Sequence, residues 1–182
     1  MQRIPLSGKN IRLRAIEPAD LDIIYAWEND PGNWLISNTI TPFSRHVLTR
    51  YIQHAQKDLF EARQLRLMID LLDDAGHTRE TIGTVDLFDY DPVHQRAGLG
   101  ILIASKENRM KGYASESISI LISYAFGTLH LHQLYCNVSM DNQASLKLFK
   151  KFGFTEIGVK RDWLRSGEGW LDVCLLQLLR SG

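Results

Sequence analysis

Arg109-Met110-Lys111-Gly112-Tyr113-Ala114-Ser115 separates two segments of different periodicity. Before it, Leu99-Gly100-Ile101-Leu102-Ile103-Ala104 reads as a strand. After it, Ile118, Leu121, Ile122, Ala125 and Leu129 recur at helical spacing. Strand, short basic loop and helix in that order make an anion site. The first turn of a helix has N–H groups without intrahelical acceptors, and the peptide dipoles add partial positive charge. Gly112 lets a ligand approach the backbone, Ala114 is too small to block it, and Arg109 and Lys111 add full charge. The stretch predicts a pyrophosphate cradle. The alternative is an ordinary strand–loop–helix junction, because short glycine motifs recur widely.

Upstream, the strand before the loop closes an antiparallel meander. Residues 64–72 read as a strand and Asp73-Asp74-Ala75-Gly76 as a turn. Thr81-Ile82-Gly83-Thr84-Val85-Asp86-Leu87-Phe88 is the next strand, and residues 97–104 return. Gly98 and Gly100 inside that return predict a bulge, or a close approach by backbone or ligand. At the front, Ile11-Arg12-Leu13-Arg14 alternates as a half-buried strand does, and Glu17-Pro18-Ala19-Asp20 opens a helix. Asn29-Asp30-Pro31-Gly32 should break that helix, Ser44 caps a second one, and residues 59–63 read as connection.

Downstream, Leu134-Tyr135-Cys136-Asn137-Val138 is a short strand. Strand, helix and strand around the loop imply a right-handed parallel crossover. Asn142-Gln143-Ala144-Ser145 opens a further helix that Gly153 stops, and residues 154–161 and 169–179 close the chain as two strands. No repeat or linker interrupts the pattern, so one mixed α/β domain over residues 1–182 is expected.

Composition narrows the function classes. Lys plus Arg is 21 and Asp plus Glu is 21, so the net charge is zero, which argues against a dedicated nucleic-acid binder. Cys136 and Cys174 lie in apolar runs without metal or redox spacing, as two buried thiols would. Residues 1–8 hold no apolar core of signal-peptide length, and no run is long enough to cross a membrane. A cytoplasmic setting is expected by default.

The loop, taken with its flanks, resembles the GNAT acyltransferase superfamily, whose members mostly use acetyl-CoA. Arg109-Met110-Lys111-Gly112-Tyr113-Ala114 matches its Gln/Arg-x-x-Gly-x-Gly/Ala loop. Ile11-Arg12-Leu13-Arg14, Ile82-Gly83-Thr84-Val85, the Asn142/Ser145 helix and Phe152-Gly153-Phe154 match further elements in order. Trp170-Leu171-Asp172-Val173 is similar to the tail of the branch with ribosomal-protein N-terminal-amine and spermidine acetyltransferases.

The resemblance implies a mixed, mostly antiparallel twisted sheet of about six to seven strands with helices on both faces. It also implies central strands splayed to hold CoA. Pantetheine would use backbone groups of Ile101 and Ile103 along a cofactor-binding edge that includes Leu102, and residues 109–115 would take the pyrophosphate. Asn142 and Ser145 would contact the arm and Phe149 would line the slot; for Asn142 alone, a helix cap is an equal reading.

The implied activity is direct transfer of an acetyl group from acetyl-CoA to a primary amine, a peptide N-terminus or a small molecule. A polyamine is the alternative acceptor, and a CoA-binding module without turnover is the alternative class. The Ile101 backbone N–H is the candidate oxyanion donor. Two departures stand out. Phe149 occupies the place of a tyrosine acid, and Gly98 that of a glutamate. Asp86 is the candidate base or amine-binding group, with an edge carboxylate facing solvent as its bland reading. Trp34 is a candidate acceptor-side residue. Trp163 and Trp170 fit either core packing or a homodimer contact.

Overall fold

The computed structural model describes residues 5–37, 41–55, 57–167 and 169–180. Among them, seven strands form one sheet: β1 (Ile11–Ala15), β2 (Leu65–Leu72), β3 (Thr78–Asp91), β4 (Arg96–Ile103), β5 (Gln133–Ser139), β6 (Thr155–Ser166) and β7 (Gly169–Leu179). Their order is β1-β2-β3-β4-β5-β7-β6. Only β4 and β5 are parallel; every other neighbouring pair is antiparallel. The expected meander and crossover are both present. The helices are α1 (Leu21–Glu28), α2 (Pro31–Ser37), α3 (Arg45–His54), α4 (Leu59–Ala62), α5 (Tyr113–Gly127) and α6 (Gln143–Lys151).

Strand alternation sends the two faces of the sheet into different packing layers. Leu67, Ile69, Val85 and Leu87 join Ile118, Leu121 and Ala125 of α5 in the larger core. Met68, on the opposite face of β2, packs with Ile24 of α1 and with Leu48 and Ile52 of α3. Each such Leu or Ile, fully buried, contributes roughly 1.5–3 kcal/mol. Helices therefore cover both faces, as expected.

In three places the structure adds to the local reading. α1 ends at Glu28, as the Asn29-Asp30-Pro31-Gly32 break predicts, and Pro31 then starts α2, a helix not read from the sequence. A proline in the first turn lacks only an N–H that would have no partner anyway. Residues 59–62 are not bare connection: Asp58 accepts the Glu61 N–H at 2.9 Å and caps α4, which ends at Arg63 in the left-handed region (φ 50°). β3 runs well past residues 81–88 at both ends, because Leu71 and Leu72 pair with Glu80 and Thr78, and Asp91 pairs with Arg96.

The feature that positions the site is a short ladder. β4 and β5 pair only at Arg96↔Gln133, Ala97↔Leu134 and Gly98↔Tyr135. Beyond Gly98, β4 stays paired to β3 as far as Ile103, while β5 stays paired to β7 as far as Ser139. The two strands part and leave a V-shaped gap. Gly98 faces Phe88 across the β3–β4 ladder, and a Cβ there would overlap the Phe88 ring. The close approach expected at this glycine is thus made by an aromatic side chain. Gly98→Ala is expected to lower the unfolding free energy by about 1–3 kcal/mol. Adding Phe88→Leu should recover most of that loss. Urea midpoints of the two variants check it; an unshifted midpoint for the single variant would mean that the ring moves aside freely.

Candidate active site

The walls of the V carry unpaired backbone. Gly83 of β3 sits against the Leu102 carbonyl, which fixes the Leu102 peptide groups on the β3 side. Alternation then turns the N–H and C=O of Ile101 and Ile103 toward the gap. The Ile103 carbonyl already accepts the Arg109 Nε–H at 2.9 Å, so its N–H and both groups of Ile101 line the open edge. Of the three residues expected on this edge, Leu102 faces its backbone the other way.

Below the gap, residues 109–115 join β4 to α5. Gly112 precedes the helix in the left-handed region (φ 89°), as does Met110 (φ 60°), whose side chain is 94% exposed. The first intrahelical bond runs from the Glu116 N–H to the Gly112 carbonyl. The N–H groups of Tyr113, Ala114 and Ser115 precede it and have no helical acceptor. The only acidic side chain of this turn, Glu116, is turned away and accepts from the Asn10 N–H and Nδ2 at 2.8 and 2.9 Å.

The charge of the loop is distributed differently from the expectation. Arg109 points inward: its guanidinium donates to the carbonyls of Ile103 and Ala104 and to Asn33 Oδ1, at 2.9–3.3 Å. It is a clamp joining the end of β4 to α2. The cations at the loop surface are Lys111 and Lys151. Lys151, at the end of α6, donates to Ser115 Oγ at 3.3 Å.

The far wall of the V comes from β5 and α6. Asn142 caps α6, with Oδ1 accepting the Ser145 N–H at 3.1 Å. This cap leaves the Asn142 amide nitrogen for a ligand. Asn142, Ser145 and Phe149 all line a cleft of about 750 Å³ that runs through the gap to Gly32, Phe88 and Trp163 on the other face. Phe149 is held edge-to-face against Phe154, with ring centroids 5.2 Å apart. Ser139 Oγ, also in the cleft wall, is buried without a hydrogen-bond partner. An orphaned hydroxyl beside unpaired strand edges fits an extended ligand rich in amides.

On the opposite face, Asp86 and Arg66 are directly paired across β2 and β3. Arg66 Nε donates to Asp86 Oδ1 at 2.6 Å, and its Nη1 to Glu28 Oε1 at 2.9 Å. The guanidinium lies over the Tyr51 ring. Burial works against the Arg66 charge, but Asp86, Tyr51 and Glu28 overcome it and hold its pKa raised. Burial pushes the Tyr51 phenol up to about 12. Asp86 is 9% exposed, so it is not an edge carboxylate facing solvent. It sits beneath the cleft, not in its lining. Trp34 donates its indole N–H to the Glu28 carbonyl at 2.9 Å.

Four groups escaped the sequence reading: Ser139, Lys151, Asn33 and the Arg66–Glu28 pair. The Arg66–Asp86 contact had a signal, an arginine and an aspartate inside two apolar strands. Pairing them requires the strand register. Ser139 is one of several outward positions of β5, and only the end of the ladder makes it special.

A family model for the acetyltransferase (GNAT) domain matches residues 10–155. The chain is 30% identical over 176 residues to an uncharacterized N-acetyltransferase, p20, of Bacillus licheniformis, with 96% of each protein covered. It is 25% identical over 155 residues to a spermidine N(1)-acetyltransferase of Escherichia coli, covering 84% of this chain and 76% of that one. A spermidine N-acetyltransferase from Vibrio cholerae, solved in complex with CoA and spermine, gives a TM-score of 0.79 at 25% identity, with 94% of this chain and 96% of that one covered.

Gly112→Val places a β-branched residue at a backbone angle that only glycine adopts without strain. It is expected to weaken CoA binding at least roughly tenfold in calorimetry, a loss of about 1.4 kcal/mol, while far-UV circular dichroism stays native. Normal CoA affinity in this variant would remove the cradle assignment.

Proposed function

The chain belongs to the GNAT acetyltransferase family and is an acetyl-CoA-dependent N-acetyltransferase, and from that premise we propose which groups hold the donor and which receive the amine. The observation that carries the proposal is the end of the β4–β5 ladder at Gly98↔Tyr135, beside a helix N-terminus. Acetyl-CoA supplies the acyl group as a thioester. The N–H groups of Tyr113, Ala114 and Ser115 receive its pyrophosphate, with Lys111 and Lys151 adding charge; Arg109, Met110 and Gly112 shape the loop. Ile101 and Ile103 receive the pantetheine arm along their open edge, and the Leu102 side chain backs that edge. Asn142, Ser145, Ser139 and Phe149 form the facing wall.

Ile101 also donates its N–H where negative charge develops during transfer. Phe149 offers no proton to the leaving group. A thiol with an ordinary pKa of about 8.5 leaves readily as the thiolate, so an acid at that position is dispensable.

The acceptor reaches the opposite face, where Trp34 and Gly32 of α2 lie. Primary alkylamines arrive mostly protonated at neutral pH; the amine gives that proton to water before it attacks, and its second proton leaves to water as the thiolate departs. Glu28 and Asp86 share one guanidinium, so this cluster keeps a single net negative charge that attracts an ammonium. We assign Asp86 to attracting the amine through its charge from beneath the cleft, in preference to proton removal, because Oδ1 already accepts from Arg66. A polyamine acceptor is the second reading, favoured by the likeness to spermidine acetyltransferases. The engagement of both carboxylates by Arg66 weighs against it.

We extend the proposal to the whole chain, residues 1–182, working as one domain in a reducing cytoplasm, supported by the two free, buried cysteines. A homodimer is supported by the exposure of Trp170. Trp163, also exposed, lines the cleft.

A panel of primary amines assayed with acetyl-CoA by thiol release tests the acceptor side. Asp86→Asn keeps the shape and removes the charge. It is expected to raise the acceptor KM roughly tenfold with acetyl-CoA affinity unchanged. Identical kinetics in wild type and variant across the panel would take Asp86 out of the site.

A further inference from the structure

A second cavity, of about 610 Å³, lies on the acceptor face and shares Asn137 and Lys160 with the transfer cleft. The wall between them is an edge-to-face aromatic pair. Phe88 lines the cleft and Tyr135 lines the cavity, with ring centroids 5.8 Å apart. Tyr135 is also the β5 residue at which the β4–β5 ladder ends. A molecule reacting at the apex of the V therefore has its remaining atoms beside this opening.

The cavity is built, not incidental. Asp89 lies in an irregular stretch of β3 at φ 48°, a left-handed angle that a non-glycine residue adopts at a cost. That turn brings its Oδ2 to 3.1 Å from the Tyr135 hydroxyl, which donates to it. Burial, and after it Asp89, pushes the Tyr135 phenol up to about 12, so it stays a neutral donor. Lys160 donates to Asn137 Oδ1 at 2.8 Å at the junction of the two spaces.

The charges lining the cavity select the ligand. Arg63, Arg96 and Lys160 face Asp89 and Asp91, an excess of one positive charge. Asp91 is already engaged by Arg96 at 3.3 Å and by the N–H groups of Val93 and His94. Arg63 is exposed, and its guanidinium has no partner among the described residues. A polycation entering here meets three cations. A carboxylate meets a free guanidinium, the strongest kind of hydrogen-bonded pair available to it.

We propose that this cavity seats the far end of the acceptor and selects amines that carry a carboxylate there, such as an amino acid or short peptide, with Arg63 as the anchoring cation. The inference rests on acetyl transfer occurring in the adjoining cleft. Its test compares glycylglycine, glycylglycinamide and spermidine as acceptors with acetyl-CoA, in wild type, Arg63→Ala and Arg63→Glu. Arg63 is exposed and outside the transfer cleft, so the variants keep the fold and the donor site.

In wild type, kcat/KM for glycylglycine should exceed that for its amide roughly tenfold. Arg63→Ala should remove the preference and Arg63→Glu reverse it, through the KM of the carboxylate acceptor, with kcat and acetyl-CoA affinity unmoved. Transfer to the three acceptors without this preference, or a preference that survives Arg63→Glu, overturns the inference and leaves acetyl transfer standing. Failure of transfer to every amine overturns both.

Discussion

The structure depends on a strand pair that stops early. Three residue pairs join β4 to β5, and past Gly98 and Tyr135 each strand keeps only its outer neighbour. Open strand edges are unfavourable in a protein interior, since every N–H and C=O left dry costs free energy. Here part of that cost is met locally, by the Arg109 guanidinium on the carbonyls of Ile103 and Ala104. The rest is left for a ligand that can act as a strand. The gap is held open from both sides, by the α5 core under β4 and by Phe149 and Phe154 behind β5. A sheet that closed fully would have the same core and no site.

Electrostatics follow the same division of labour. The proposed anion site combines backbone dipoles with Lys111 of the loop and Lys151 of α6, while the local carboxylate Glu116 is tied to Asn10. On the opposite face Arg66 bridges Glu28 and Asp86, which leaves one negative charge in that cluster.

Much of this was legible in the sequence. The helical stripe at Ile118, Leu121 and Ala125, the alternation of Ile11-Arg12-Leu13-Arg14, and the crossover around the loop are signals that packing reinforces. What stayed hidden depends on distance in sequence. The Arg66–Asp86 pair needs a register, and the ring over Gly98 needs to be known as Phe88. The inward turn of Arg109 needs Asn33, 76 residues away. Short helices such as α2 and α4 escaped because proline and polar residues mark both turns and helix starts.

Asn33 gives the Arg109 clamp a wider meaning. Asn33 is 2% exposed, sits on α2 and donates to the Trp27 carbonyl, while Arg109 opens the loop before α5. One guanidinium is therefore a shared strut between the loop before α5 and the helix α2. A shift of either support pulls on the same guanidinium, so the loop and α2 are not mechanically independent parts of the molecule.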